Sequence, residues 1–256
     1  MKQRAIGAGV VAIATVSALA TAAVAAPPYL VTVGASTSGD HVFFGTSVPR
    51  TGGAHEIDFQ VRRGTTVTNM YCTDVNVEGN VHAGTSSTGH VATITPVTRV
   101  NTPETFAGMD WKGCKGPFNL DMVVEPDLDW EIWADGTSTT GTTDVITGVV
   151  TGPGGGNLTA NVYATGANRP FCEFEVQGFA TGTWNESTQT LTITETGFTG
   201  NLAISALASA TSNCGGLVAV NDPANFEGAF EIGPDDADNT KDGITDTFPV
   251  YLEPAP

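Results

Sequence analysis

The stretch Phe171-Cys172-Glu173-Phe174-Glu175-Val176-Gln177-Gly178 alternates between two kinds of side chain. Its odd-numbered positions are Phe, Glu, Glu and Gln, and its even-numbered positions are Cys, Phe, Val and Gly. A period of two residues is typical of a half-buried β-strand. The alternating residues Thr190–Thr194 follow after the polar segment 184–189, which the pattern indicates to be a turn. We interpret the alternating strand as continuing to Thr183, so the sequence predicts a β-hairpin of residues 171–183 with 190–194.

The same period recurs along most of the chain, and no long amphipathic helical pattern is present. Predicted strands follow one another at intervals of about 8–12 residues, with Gly, Asn, Asp and Thr between them. This spacing predicts an all-β fold, a β-sandwich or a barrel-like architecture. The main further segments with the pattern are 29–33, 56–61, 70–81, 91–95, 118–124, 129–134, 144–150, 157–163, 217–220, 226–232 and 248–252.

A glycine-rich segment, Gly152-Pro153-Gly154-Gly155-Gly156, separates two of these strands. The flanking residues 144–150 and 157–163 both alternate, which favours a hairpin with a long loop over a linker between domains. The segment also lies close to the middle of the chain. We therefore expect it near the seam between two halves of the fold.

The four cysteines have a repeated spacing. Cys72 and Cys114 are 42 positions apart, Cys172 and Cys214 are also 42 apart, and the two pairs are offset by 100. The residues after the second cysteine of each pair also match, because Lys115-Gly116 corresponds to Gly215-Gly216 within the repeat. This pattern indicates a diverged duplication of units with the usual size of a β-sandwich.

Four cysteines in an exported chain indicate two disulfides, for which three connectivities exist. The duplication favours Cys72–Cys114 with Cys172–Cys214, one bridge in each unit. Metal binding is the alternative, but the cysteines form neither a CxxC motif nor a cluster with histidine. The predicted organisation is a leader over 1–25, a first β unit over 26–140 and a second β unit over 141–256 that carries an acidic tail. One merged domain is the alternative.

The N-terminus has the three parts of a secretory signal peptide. Met1-Lys2-Gln3-Arg4 is charged, an apolar Ala-rich run follows, and Ala23-Val24-Ala25 is a small-residue cleavage motif. A membrane anchor is the alternative, although the apolar run is near the short limit for a span. We expect cleavage near Ala25 and a secreted or cell-envelope location.

The chain is strongly acidic, with a formal charge of −17. Without the predicted leader it keeps 8 basic residues against 27 acidic ones, a charge of −19. Such a field repels nucleic acid and anionic lipid and attracts cations. We therefore expect no nucleic-acid partner.

A longer series of residues resembles a known group of proteins. The series is Cys72, Cys114-Lys115-Gly116-Pro117 opening an apolar strand, the Trp130 strand, the Thr147-Gly148 strand, Cys172, Asn201-Leu202, Cys214-Gly215-Gly216-Leu217 and Asp222-Pro223-Ala224-Asn225-Phe226-Glu227-Gly228. It is similar to small, uncharacterised secreted proteins of actinobacteria over roughly residues 65–235. The resemblance implies an exported, disulfide-bonded β protein of the envelope or medium. It implies no activity, so no site residue is carried over.

The acidic C-terminal segment has the spacing of a calcium loop. Asp238, Thr240, Asp242 and Asp246 lie at alternate or nearly alternate positions around Gly243. Calcium loops place oxygen ligands in this way around a glycine turn. The position where such a loop has a bidentate Glu is a proline, so a solvated acidic loop is the alternative. A weak structural calcium site is the only cofactor that the sequence suggests.

Tryptophans are the candidates for stacking against a sugar. Trp130 and Trp133 are three positions apart in a predicted strand and therefore point to opposite faces. Trp184 is next to a predicted turn, and we expect it to be the most exposed of the four tryptophans. Packing in the core or at a sheet edge is the alternative for each of them.

The sequence contains only weak indications of a catalytic or metal site. His82 and His90 fall in one predicted hairpin and could share a metal, whereas the acid pairs at 127/129 and 173/175 could serve a glycosidase or simply be solvated. The chain has neither a G-x-S-x-G nor an H-E-x-x-H motif.

We therefore expect a non-catalytic structural or binding protein of the cell exterior. Its partner would be an envelope polysaccharide or a protein. A carbohydrate-binding module is one alternative and predicts exposed coplanar aromatics. A pore subunit of the outer envelope is another, and it predicts an acidic lumen inside an apolar outer band.

Overall fold

The computed structural model describes residues 28–49, 55–95, 109–233 and 249–256. These residues form β-strands joined by turns and three short 3₁₀ turns, which confirms the all-β prediction. The strands are β1 Tyr29–Val33, β2 Gly39–Ser47, β3 Ile57–Arg63, β4 Thr66–Cys72, β5 Asp74–Ser86, β6 His90–Ile94, β7 Met109–Lys112, β8 Met122–Pro126, β9 Trp130–Ala134, β10 Val145–Thr151, β11 Leu158–Ala164, β12 Glu173–Gly178, β13 Ala180–Asn185, β14 Thr190–Glu195, β15 Leu202–Leu207, β16 Pro223–Gly233 and β17 Val250–Pro254.

Eight of the strands close into a barrel. The antiparallel neighbours run β2, β5, β6, β9, β10, β13, β14 and β16, and β16 pairs again with β2. Of the two architectures that the strand spacing allows, the molecule therefore has the barrel. Both halves of the sequence contribute strands to this barrel, and closure leaves its strands without free edges.

The interior of the barrel is apolar because the alternation of the strands is in phase around the ring. On β5, Val77, Gly79 and Val81 are buried, and the polar residues between them, Glu78 and Asn80, are half-exposed. On β14, Leu191 and Ile193 are buried while the threonines beside them are not. The interior therefore lacks the acidic lining that the pore alternative predicts.

A second ring of strands extends from the barrel through β16. The first half of β16 pairs with β3 and β15, and the ring continues through β4 on one side and through β12, β11 and β8 on the other. Lys115 closes the gap, because it forms bridges with both Tyr71 at the end of β4 and Asp121 before β8. The long strand β16 thus belongs to both rings.

The glycine-rich segment does not form the predicted hairpin. Gly152 and Gly156 form an isolated bridge, but β10 pairs with β9 and β13 whereas β11 pairs with β8 and β12. The chain therefore crosses from the barrel to the second ring at this loop. Glu131 holds the loop, since one of its carboxylate oxygens accepts from the Gly154 N–H at 2.9 Å. The predicted hairpin of 171–183 with 190–194 is present in part. Its second half, β13, pairs with β14, whereas its first half forms the separate strand β12, which pairs with β11 and β15.

Both predicted disulfides are present, Cys72–Cys114 and Cys172–Cys214. All four cysteines are buried. Both bridges lie beside the second ring, one after β4 and the other before β12. The sequence repeat therefore identified the correct connectivity.

Of two further sequence predictions, one differs from the structure and the other concerns residues that the structure does not describe. Residues 217–220 form turns instead of the predicted strand. The predicted signal peptide lies outside the described residues. No helix among the described residues is long and apolar enough to cross a membrane.

The pair β1–β17 attaches to the end of β5 and covers that side of the barrel with buried apolar side chains. The turn between β13 and β14 fixes this pair. Glu186 is buried there, and its carboxylate accepts from the backbone N–H of Leu252 at 2.6 Å and of Asp144 at 3.2 Å. Gln189 adds hydrogen bonds to both backbone groups of Val250.

Burial raises the pKa of Glu186 above its ordinary value of 4.5, although the two N–H donors act in the opposite direction. The folded chain therefore binds more protons than the unfolded chain between these two pKa values, and the stability contributed by this group falls as the pH rises through that window. We expect Glu186→Gln to remove that fall. The difference in unfolding free energy, variant minus unmodified chain, should increase as the pH rises from 4.5 toward neutrality.

Urea unfolding across this pH range measures the effect. Glu231→Gln is the matched control, because Glu231 is exposed on β16 and does not contribute to the shift of the Glu186 pKa. A difference that stays constant with pH for Glu186→Gln would contradict the prediction.

Candidate functional site

Two apolar cavities lie inside the molecule, one in each ring. The barrel cavity has a volume of ≈ 60 Å³, and its wall includes Phe43, Ile146 and Trp184. The second-ring cavity has a volume of ≈ 70 Å³, and its wall includes Trp111 and Ala160. Apolar side chains dominate both walls, so these cavities favour an apolar occupant over a polar one.

A smaller cavity of ≈ 10 Å³ lies between the two. Val150 lines all three cavities, Leu191 lines the small cavity and the barrel cavity, and Trp130 lines the small cavity and the second-ring cavity. The three cavities are therefore neighbours in a row from one ring to the other, and they share wall side chains. A row of narrow spaces suits a slender molecule.

Two buried indole N–H groups along this row have no acceptor among the described residues. They belong to Trp184, in the wall of the barrel cavity, and to Trp111, in the wall of the second-ring cavity. A buried donor without a partner costs about 1–3 kcal/mol. An oxygen atom on an otherwise apolar ligand could recover part of this cost.

An exposed aromatic pair lies next to the second-ring cavity. Phe118 is 69% exposed and Phe171 is 40% exposed, with their ring centroids 6.0 Å apart. Phe118 belongs to the segment 114–122, whose end residues Cys114 and Met122 both line the second-ring cavity. We call this segment with Phe171 the aromatic rim. The rim places exposed apolar surface beside the end of the interior row.

The backbone of the rim is held in an unusual conformation. Phe118 has φ 59° and Asn119 has φ 58°, in the left-handed region that bulky side chains rarely adopt. Non-glycine residues in this region are strained and occur frequently at functional sites. The Cys72–Cys114 disulfide and the pairing of Lys115 fix one end of the segment. These restraints hold the strained segment in place, with Phe118 on the surface.

The structure places the three tryptophan candidates differently from one another. Trp130 is buried, and its indole N–H donates to the Thr159 carbonyl. Trp133 is half-buried, and the ring of His90 stacks on it with centroids 4.9 Å apart. Neither offers a free aromatic face for a sugar.

The prediction that Trp184 is exposed at a turn is wrong. Trp184 lies within β13, opposite Ile146 and Leu191, and is packed against the core. The physical reason is that the turn begins after Asn185, so the alternation of the strand still directs the indole inward. An exposed coplanar pair of tryptophans, which a carbohydrate-binding module needs, is not formed by these residues.

The calcium candidates Asp238, Thr240, Asp242 and Asp246 lie outside the described residues. Among the residues that the structure describes, no three His, Cys, Asp or Glu side chains form a group that could hold a metal ion.

The carboxylates of the second ring form an open surface. Asn161 is opposite Glu125 on one side and Glu175 on the other, so these side chains form a row across three strands. Asp127 accepts from the Asn161 amide at 2.7 Å, and burial, with the nearby charges of Glu175 and Glu125, raises the pKa of its carboxyl. The row lies on the outer face of a sheet, and we expect it to be solvated.

A polar network that crosses three strands of the barrel wall connects four side chains. The Nδ1 atom of His82 lies 2.8 Å from Asp40 Oδ1, and its Nε2 lies 2.9 Å from the hydroxyl of Thr93. The Nε2 of His90 lies 3.2 Å from the same hydroxyl and 3.1 Å from the Ala92 carbonyl. Burial lowers the pKa of His90, which favours the neutral ring.

The hydrogen bonds define one consistent set of donors. The Nε2–H of His90 must donate, because the Ala92 carbonyl can only accept. The Nδ1–H of His82 likewise donates to Asp40, so the Nε2 of His82 accepts from the Thr93 hydroxyl. This order resembles the acid–histidine–hydroxyl arrangement of hydrolases. However, Thr93 lies in β6 between β5 and β9 and pairs with both strands. The backbone N–H groups around it therefore form interstrand hydrogen bonds and do not form an oxyanion hole.

Sequence reasoning anticipated that His82 and His90 lie close together, but it missed the cavities, the aromatic rim and the contact of both histidines with Thr93. The only local signal for the rim was the Cys-Lys-Gly-Pro turn before Phe118. No short sequence pattern indicates the cavities, because they arise only when the strands close into two rings.

No protein-family model matches the chain, and no curated protein or solved structure has significant similarity to it. The geometry of the chain itself is therefore the basis for a functional proposal.

Proposed function

We propose that this chain is an exported, non-catalytic binding protein that takes the end of a linear aliphatic chain into its interior. The observation that carries the proposal is the row of apolar cavities that runs through both rings. The two disulfides suit an oxidising compartment outside the cytosol and fix the second ring, where the ligand would enter.

The volumes favour a slender ligand. A cavity of about 150 Å³ accepts benzene, whereas the second-ring cavity has only ≈ 70 Å³. Ordinary ligand pockets measure about 300–1,000 Å³, so the cavities of this chain would hold part of a molecule and not a whole ligand. An alkyl chain fits this description because its cross-section is small and its length can follow the row.

The aromatic rim would hold the part of the ligand that remains outside. Phe118 and Phe171 are both exposed, and their rings lie side by side near the segment that lines the second-ring cavity. Each methylene of the ligand that leaves water contributes about 0.8 kcal/mol, which is about a fourfold gain in affinity. Affinity should therefore rise with chain length until the interior row is filled.

Titration with linear alcohols from butanol to decanol tests the proposal. Trp111 and Trp130 line the second-ring cavity, so their fluorescence reports occupancy. We expect a saturable change with linear alcohols, an increase in affinity with each added methylene, and a weaker response to cyclohexanol. Bound alcohol should also raise the melting temperature.

A pair of matched variants locates the site. Ala160→Leu places a larger side chain into the second-ring cavity and should abolish the fluorescence response, whereas Ala203→Leu places the same side chain on the outer side of β15 and should leave it unchanged. An equal response in both variants, or no response at any chain length, would exclude interior binding.

A further inference from the structure

We propose that His82 and His90 form a surface site for one borderline divalent cation of the Cu²⁺ or Zn²⁺ class. The site lies on the outer wall of the barrel, and neither histidine lines the cavities, so the proposal does not rest on the proposed interior binding. Imidazole nitrogen is a preferred ligand of these cations.

The convergence of the two histidines is the first argument. Both Nε2 atoms lie within hydrogen-bond distance of one atom, the Thr93 Oγ1, at 2.9 Å and 3.2 Å. The ring centroids are 4.8 Å apart. Metal–nitrogen bonds are about 2.0–2.1 Å long, so a small rotation of the rings would bring both nitrogens onto one ion. His90 would then carry its proton on Nδ1, and its Nε2 would exchange the hydrogen bond to the Ala92 carbonyl for the bond to the metal. The Thr93 hydroxyl and water would occupy further positions.

A β-bulge is the second argument. His90 and Thr93 are three positions apart, which would place them on opposite faces of a regular strand. The register of β6 shifts between His90 and Ala92, and Val91 and Ala92 are both buried. The bulge therefore turns His90 to the same outer face as Thr93. Bulges of this kind re-aim side chains and are common beside functional sites.

The orientation of His82 is the third argument. Asp40 accepts from Nδ1 of His82, which leaves Nε2 with its lone pair directed toward His90 and Thr93. Histidine ligands of metals usually have such a carboxylate on the other ring nitrogen, which fixes the tautomer and increases ligand basicity. Asp40 is thus a positioning residue and not a ligand.

The surroundings also suit a cation. The ring of Trp133 stacks on His90, and Glu131 accepts from the Trp133 indole N–H at 3.0 Å. The formal charge of the chain is −17, which raises the local concentration of cations. The site has only two nitrogen ligands and is open to water, so we expect exchangeable binding and not a structural metal.

Titration of the metal-free, mature chain with CuSO₄ tests the site. We expect one Cu²⁺ per chain, saturable quenching of fluorescence that disappears in Trp133→Phe, and an electron paramagnetic resonance spectrum with two nitrogen ligands. ZnCl₂ should compete with the copper.

Variants distinguish the residues that bind the metal ion from residues that do not. His82→Gln and His90→Gln should each abolish the saturable quenching and the two-nitrogen spectrum. Asp40→Asn should weaken binding by about 10- to 100-fold, as is usual for a partner of a histidine ligand. His55→Gln should bind as the unmodified chain does, because His55 stacks on Tyr71 elsewhere. Thermal unfolding checks that each variant is folded.

The opposite results would overturn the proposal. Unchanged copper binding in His82→Gln and His90→Gln would show that the ion binds elsewhere on an acidic surface. Loss of binding in His55→Gln would have the same meaning. An unchanged affinity in Asp40→Asn would refute its positioning role.

Discussion

We expect the replacement of Cys172 and Cys214 together by alanine to lower the free energy of unfolding by about 4 kcal/mol. The disulfide closes a loop of 42 positions, and its loss releases the corresponding entropy in the unfolded chain. Both cysteines are fully buried, so the loss of packing adds to the entropic effect. Urea unfolding monitored by tryptophan fluorescence measures the change.

The Cys72–Cys114 bridge is an internal comparison. It closes a loop of the same 42 positions, so the entropic model predicts the same loss for both bridges. A Cys172/Cys214 variant that is as stable as the unmodified chain would contradict the prediction. A much larger loss for one bridge than for the other would show that packing in the folded state, and not loop entropy, determines its contribution.

We expect Gly178→Ala to destabilise the protein by about 3–5 kcal/mol, because the new methyl group causes both backbone strain and overpacking. Gly178 ends β12 with φ 138°, a region that side chains rarely allow. A Cβ atom built there would lie 1.8 Å from the Asn201 carbonyl oxygen, which belongs to the backbone and cannot rotate away. The β12–β15 pairing of the second ring would have to separate at this point.

Gly141→Ala is the matched control. Gly141 has open space around its Cα, and its φ is not in the left-handed region, so a methyl group adds no contact there. Thermal unfolding of the two variants should therefore differ strongly. A Gly178→Ala variant that melts within a few degrees of the Gly141→Ala variant would contradict the close approach of β12 and β15.

Local patterns predicted the local structure well. The alternation of residues 171–178 and 190–194 predicted strands that the structure contains, because a strand with one buried face must alternate wherever it lies. The repeated cysteine spacing predicted both disulfides. The prediction for Trp184 failed because the sequence locates the start of a turn only to within one or two residues. A shift of one residue along a strand moves a side chain to the opposite face of the sheet.

The sequence by itself determined the all-β class, the position of most strands and the disulfide pairing, since each depends on short-range period or on cysteine spacing. Only the tertiary structure decided that β2 meets β16 and closes a barrel, that Lys115 closes a second ring, and that the bulge at His90 brings two histidines onto Thr93. These features depend on hydrogen-bond register between strands far apart in the chain. The register is selected by the simultaneous burial of all inward side chains, which no single segment encodes.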